Sequence, residues 1–169
     1  MPTDINEVIS TAMNIKSKCS TGYDNISNKL TKRIIEFIAE PLVHIFNLSF
    51  GNGIFPDPYK IAKAIPIFKS GDKFSVNNYR PISLLPAFSK ILEKLVHKRL
   101  IKFILKHNLI YSSQYGFLPG RSTEQAMLEL TSKIIDAIER KQLTPGLFLD
   151  LSKAFDSISH SILLNKQDA

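Results

Sequence analysis

The sequence predicts a helix-rich α+β fold, and three observations carry that prediction. Apolar residues recur at helical spacing over three long stretches, from Ser27 to Leu48, from Phe88 to His107 and from Ser122 to Lys141. Two short apolar runs, Ile61 to Phe68 and Leu147 to Leu151, have the length and flanking turn signals of strands. Glycine, proline and asparagine clusters separate these segments.

Taken in order, Ile5 to Ile15 suits a short helix, and Thr21-Gly22-Tyr23-Asp24-Asn25 is turn chemistry. The next helix starts at Ser27 or Asn28 as N-cap and puts Leu30, Ile34, Phe37 and Ile38 on one face. Pro41 is expected to end or kink it, with a second helix running on through Leu42, Ile45, Phe46 and Leu48 to a stop at Gly51-Asn52-Gly53. His44, among apolar residues, reads as a core histidine. After the rigid Phe55-Pro56-Asp57-Pro58 loop, Ile61 to Phe68 alternates as a strand, and Pro66 argues for an edge position. The turn Lys69-Ser70-Gly71-Asp72 then leads to Arg80, held extended by Pro81. Phe88 to His107 is the clearest helix, with Phe88, Ile91, Leu92, Leu95, Leu100, Ile104 and Leu105 as its stripe and Ser89 in its cap region. Ser122 and Gln125 form a capping box for a helix built on Ala126, Met127, Leu130, Ile134 and Ile138. Leu147 to Leu151 reads as a buried strand, and residues 156–164 as a last helix.

The 169 residues suffice for one domain with a core, and 44% hydrophobic with 22% charged residues is a globular composition. Cys19, the single cysteine, can form neither an internal disulfide nor a CxxC zinc site. No run approaches 18 uncharged apolar residues, so no membrane-spanning helix is expected. The polar, acidic start is unlike a signal peptide. An intracellular protein, cytoplasmic or nuclear and not secreted, is the simplest reading.

Charge is distributed unevenly. Net charge is +7, yet Lys60 to Lys106 holds 11 lysines and arginines against two acids, Asp72 and Glu93. Such a block suits a polyanion, nucleic acid or lipid headgroups, or a plain solvated helix face. Lys90, Lys94, Lys98, Lys102 and Lys106 recur every four residues as a ridge on the long helix. The loop from Tyr111 to Arg121 interleaves three aromatics with Arg121, a composition that stacks on bases or fills a core gap.

Asp150 closes the run after Pro145-Gly146. A carboxylate at the end of a core strand either caps the next segment or holds a hard cation such as Mg²⁺ against phosphates. Lys69 on an extended flap beside Arg80 is a pair able to grip a triphosphate; alternatively Arg80 caps a helix C-terminus. There is no GxSxG nucleophile motif and no GxxxxGK[ST] phosphate loop.

Five blocks taken together resemble the reverse transcriptase domain of non-LTR, LINE-like retrotransposons, most like the jockey-type group. They are Gly22-Tyr23-Asp24-Asn25-Ile26, Lys63 to Asp72, Asn78 to Leu85, Gln114 to Thr123 and Phe148 to Asp156, in the family's order from about residue 20 to 164. The resemblance implies fingers and the start of the palm of a right-hand polymerase, an incomplete fold. Residues 1–20 are then an N-terminal extension, 21–120 a fingers-like region, 121–164 the start of the palm with the first metal-binding motif, and 165–169 a tail outside the pattern.

By the same resemblance Asp150 is the first palm aspartate, catalytic and a ligand to both Mg²⁺ ions, and Leu151 lends its backbone carbonyl to one metal. Phe155 crowds the sugar 2′-OH, and Lys69 and Arg80 hold the incoming deoxynucleoside triphosphate. Lys94, Lys98, Lys102 and Arg121 are the candidate contacts to the RNA template and DNA primer. The chemistry of the intact family is two-metal nucleotidyl transfer.

The departures matter equally. The family's second metal motif, an aromatic-Ala-Asp-Asp hairpin, does not occur, and no Asp-Asp pair stands anywhere in the sequence. One carboxylate cannot fix two Mg²⁺ ions. The expectation is therefore a truncated RNA-directed DNA polymerase, inactive alone. The alternatives are a non-catalytic RNA- or DNA-binding module derived from the fingers, or a remnant without function.

Overall fold

The computed structural model describes residues 2–151, 154 and 158–165. The chain divides into two units, residues 1–110 and 111–169, and each has its own logic.

In the first unit, helix α1 (Ile5–Met13) is capped by Asp4, whose side chain accepts from the Glu7 amide. Helix α2 (Asn28–Asn52) is capped by Ser27, which accepts from the Leu30 amide, and ends at Gly53 in the left-handed conformation, φ 63°. Pro41 neither ends nor divides it: α2 is one helix of 25 residues with Pro41 inside. Its buried face is Thr31, Ile35, Ala39, Leu42 and Phe46, whereas Leu30 and Phe37, expected inside, are exposed. Both faces are apolar, so periodicity alone could not choose between them; the packing of α1 and α4 did. His44 is exposed rather than in the core. By length and composition alone α2 also passes as a membrane-crossing helix, a test that tolerates its charged residues and that a long core helix passes equally. Its Ile35, Leu42 and Phe46 instead fill the core of this unit.

A short helix, α3 (Asp57–Lys60), precedes strand β1 (Lys63–Phe68), which pairs antiparallel with β2 (Tyr79–Leu84). Helix α4 (Ala87–Lys106) follows, with Pro86 at its N-cap position. Ser89, expected near the cap, is buried inside the helix, where its hydroxyl donates to the Tyr59 carbonyl at 2.8 Å. Asn108, with φ 52°, turns the chain after α4.

The core is Val8, Ala12 and Ile15 from α1 and its exit, Ile35, Leu42 and Phe46 from α2, and Ile91, Leu92 and Leu95 from α4. The first 20 residues thus supply a third of this cluster's helical layers. Asn47 fastens them further: its side-chain oxygen accepts from the Thr3 amide at 2.7 Å, and its amide donates to the Thr3 carbonyl at 3.0 Å.

Two of the resembling blocks meet here. Gly22 is buried against Leu85 and Pro86, and a Cβ at that position would lie 2.7 Å from the Pro86 nitrogen. Tyr23 donates its hydroxyl to the Pro58 carbonyl at 2.9 Å. Glycine is needed at position 22 because one backbone crosses another there.

The second unit contains α5 (Thr123–Glu139) and α6 (His160–Asn165). The capping box is present as read: Ser122 accepts from the Gln125 amide, and the Gln125 side chain accepts from the Ser122 amide. None of α5 is buried; Met127, Leu130, Ile134 and Ile138 are exposed. Residues 147–151 form no strand, and Leu147, Phe148, Leu149 and Leu151 are exposed, which corrects the expectation of a buried strand. A strand needs a partner for its backbone groups, and no described segment of this unit supplies one.

Candidate functional site

The β1–β2 hairpin is built by register. Lys63 lies opposite Leu84, Ile65 opposite Ile82, Ile67 opposite Arg80 and Phe68 opposite Tyr79. Beyond β1, the Lys69 amide donates to the Asn78 carbonyl at 2.8 Å, which extends the ladder by one hydrogen-bonded pair. Alternation from that pair puts Pro66 and Pro81, directly opposed, on a pair whose backbone groups point outward. Neither proline costs the ladder a bond, and each blunts the outer edge of its strand.

The same alternation gives the hairpin two faces. Ala64, Pro66 and Phe68 share one with Ser83, Pro81 and Tyr79, and the Phe68 and Tyr79 rings meet edge to face at 5.5 Å. Ile65, Ile67 and Lys69 share the other with Ile82, Arg80 and Asn78. Lys69 and Arg80 are therefore diagonal neighbours on one face, and both are exposed. The sequence placed them on one flap; the register brings them to one side of it.

The tip between the strands is held by its own side chains. Asp72 accepts from the Phe74 amide at 3.0 Å, Asn78 donates its side-chain amide to the Asp72 carbonyl at 2.8 Å, and Tyr79 donates its hydroxyl to the Lys73 carbonyl at 2.9 Å. Gly71 takes φ 91°, and a Cβ there would lie 2.8 Å from the Asn78 side-chain nitrogen.

On α4 the lysine ridge turns partly toward α1. Lys98 pairs with the Glu7 carboxylate at 2.8 Å, and Arg99 reaches its other oxygen at 2.8 Å. Thr3 also donates its hydroxyl to Glu7. Burial raises the Glu7 pKa, but the hydrogen bonds from Lys98, Arg99 and Thr3 outweigh it and bring the carboxyl down to about 2. Arg99 also stacks over the Phe50 ring at 4.7 Å. Lys94 lies 3.4 Å from the Asn14 carbonyl, and Lys102 lines a hollow of mixed charge with Lys98, Arg99, Asp4 and Glu7. Glu7 carried no motif in the sequence; the only trace was an acid on the polar side of a short amphipathic segment.

In the second unit Arg121 lies over the Tyr115 ring, 5.2 Å from its centroid, and Tyr115 hydrogen-bonds Glu129. Tyr115 is thus held between Arg121 and α5, while Tyr111 and Phe117 of the same loop are exposed. Asp150 and Leu151 are exposed in irregular chain. Phe155 lies outside the described residues. Among the described residues no cluster of three His, Cys, Asp or Glu could hold a metal ion. The described residues thus bring no ligand cluster to Asp150 that fits a two-Mg²⁺ site.

The comparisons agree with the blocks. The family model described as "Reverse transcriptase (RNA-dependent DNA polymerase)" matches residues 67–169. The probable RNA-directed DNA polymerase from transposon BS of Drosophila melanogaster is 31% identical over 98% of this chain. The RNA-directed DNA polymerase from mobile element jockey of Drosophila funebris is also 31% identical over 98% of it. A putative 115 kDa protein in the type-1 retrotransposable element R1DM of Drosophila melanogaster is 30% identical over 96%. The chain spans only 18% of the length of the first two and 16% of the third. By that family match and these identities over nearly the whole chain, the chain belongs to the reverse transcriptase family, among its jockey-type non-LTR retrotransposon members.

Proposed function

We propose that this chain is the fingers and palm-opening portion of a retrotransposon RNA-directed DNA polymerase, and that its hairpin is the surface that meets the incoming nucleotide. The observation that carries this is the β1–β2 register, which sets Lys69 and Arg80 as diagonal neighbours on one open face. Two cations presented by neighbouring register positions on one face suit the oxygens of a triphosphate. Arg80 supplies a planar fork and Lys69 a point charge; Ile67 and Ile82 between and beside them offer apolar surface to a sugar or base.

In the intact polymerase Asp150 and the Leu151 carbonyl would hold Mg²⁺, which supplies activation of the attacking hydroxyl and charge neutralisation at the leaving group. Phe155 would exclude a 2′-OH. This chain's described residues offer no second carboxylate for that pair of ions, so we place no chemical step in the chain by itself. Template and primer would meet Lys94 and Lys102 in the first unit and, separately, Arg121 in the second. Lys98 is a weaker candidate, because binding phosphate would compete with Glu7.

The test has two arms. Primer extension on an RNA template with Mg²⁺ is expected to give no product; extension abolished by Asp150→Asn would overturn the inactivity. Binding of a fluorescent deoxynucleoside triphosphate is expected to weaken about tenfold in Lys69→Ala and in Arg80→Ala, each removing one charged hydrogen bond. Equal affinity in both variants would remove the hairpin from the nucleotide site.

A further inference from the structure

We infer that Phe74, at the tip of the β1–β2 hairpin, is a stacking platform for an unpaired nucleobase of a single-stranded nucleic acid. The inference deepens the nucleic-acid reading of the hairpin and rests on it. Phe74 is 96% exposed, and Val76 two residues on is 85% exposed. A phenyl ring left in water forfeits the burial that drives folding, and polar residues serve a tight turn better. The tip is nonetheless built to hold it there. The Phe74 amide is tied to the Asp72 carboxylate, the Ser75 amide to the Asp72 carbonyl, and the Asn78 amide to the Ser75 carbonyl. Asn78 and Tyr79 brace the loop from the β2 side, and Gly71 has the positive φ that the turn requires.

The surrounding charge selects the occupant. Lys69, Lys73 and Arg80 are the cations of this segment, and Asp72 is its only acid. The Asp72 carboxylate accepts from the Phe74 amide, and the three cations outnumber this one acid. An exposed ring on a braced turn, in a segment with net positive charge whose Lys73 lies over the neighbouring Phe68 ring at 5.9 Å, matches what single-stranded nucleic acid offers: π-faces spaced along a phosphate backbone. Duplex would not serve, because its bases are already stacked. An apolar protein segment would gain nothing from the three cations.

The experiment uses the full chain, which contains no tryptophan. Phe74→Trp introduces a single indole at the tip. Titration with a single-stranded RNA oligonucleotide is expected to quench that indole in step with the anisotropy change of a fluorescein label on the RNA. Phe74→Ala is expected to weaken RNA binding about tenfold, and Phe74→Leu to recover little of it, since base stacking needs the ring. Lys73→Ala is expected to reduce the salt dependence of binding instead. RNA binding with an unquenched indole and an unaltered Phe74→Ala variant overturns the stacking role and leaves the basic hairpin standing. Absence of RNA binding at low salt overturns both. Circular dichroism of each variant separates these outcomes from misfolding, and an exposed side chain gives no reason to expect misfolding.

Discussion

Glu7 shows how one residue can join two elements that the sequence keeps more than 90 positions apart, since its partners are Lys98 and Arg99. Its side chain is largely buried, and its pKa is lowered to about 2 against burial's opposing pull. A carboxyl depressed in the folded state stabilises the fold above its unfolded pKa, and that stability is lost as pH falls through the folded value. Glu7→Gln is therefore expected to lower stability at neutral pH by about 1–3 kcal/mol. Urea midpoints measured against pH should show the gap between wild type and variant closing between pH 4.5 and about 2. A gap unchanged down to pH 2 would show that the three hydrogen bonds do not set its charge. Gly22 acts by absence: with 2.7 Å between a would-be Cβ and the Pro86 nitrogen, Gly22→Ala must displace backbone. A loss of about 1–3 kcal/mol is expected, read as a lower thermal midpoint. Full retention of the midpoint would mean that the 21–27 turn gives way freely.

Among the elements, α2 is the one that periodicity misjudged. Leu30, Ile34, Phe37 and Ile38 make as good a stripe as Thr31, Ile35, Ala39, Leu42 and Phe46, and the second is the one buried. Two substitutions of the same residue type test this. Phe46, fully buried, is expected to cost about 3–5 kcal/mol on change to alanine. Phe37, 83% exposed, should cost within about 0.5 kcal/mol. Denaturant unfolding measures both, and comparable losses would put the wrong face of α2 inside. Pro41 was expected to break the helix; interior proline removes one backbone bond and clashes with the preceding turn, but core packing through Leu42 and Phe46 carries α2 past it. Element ends were legible where a side chain itself makes the bond. Ser27, Ser122 and Gln125 act as read, and Gly53 ends α2 through its backbone in the left-handed conformation. Ser89 was misread because a hydroxyl near a helix start caps it only if the backbone turns there, and the turn falls at Pro86.

For the whole molecule, the two units differ in what protects them. Among the described residues, the buried apolar cluster lies within residues 1–110, with α1, α2 and α4 around it. Among the described side chains of residues 111–169 none is buried. Amide hydrogen exchange is expected to be slow in Ile35, Phe46, Ile91 and Leu95 and fast throughout α5, because local opening tracks the apolar contacts that must be broken. Slow exchange in α5 would show its Met127–Ile138 face to be covered in solution. The pieces of the candidate site divide along the same line. Lys69 and Arg80 sit on a hairpin within the first unit, and Asp150 in irregular chain of the second.

By itself the sequence determined what local chemistry can determine: the caps, the hairpin and its prolines, the amphipathic α4, the basic block and the five blocks that mark a reverse transcriptase. These depend on contacts within a few residues or on residue types alone. Tertiary structure decided which face of α2 is inside, that the first 20 residues belong to the core, that Glu7 occupies Lys98 and Arg99, and that Leu147 to Leu151 is not a strand. Each of these depends on a partner distant in sequence, and a helix stripe or a strand run states only that it needs one, not which it will find.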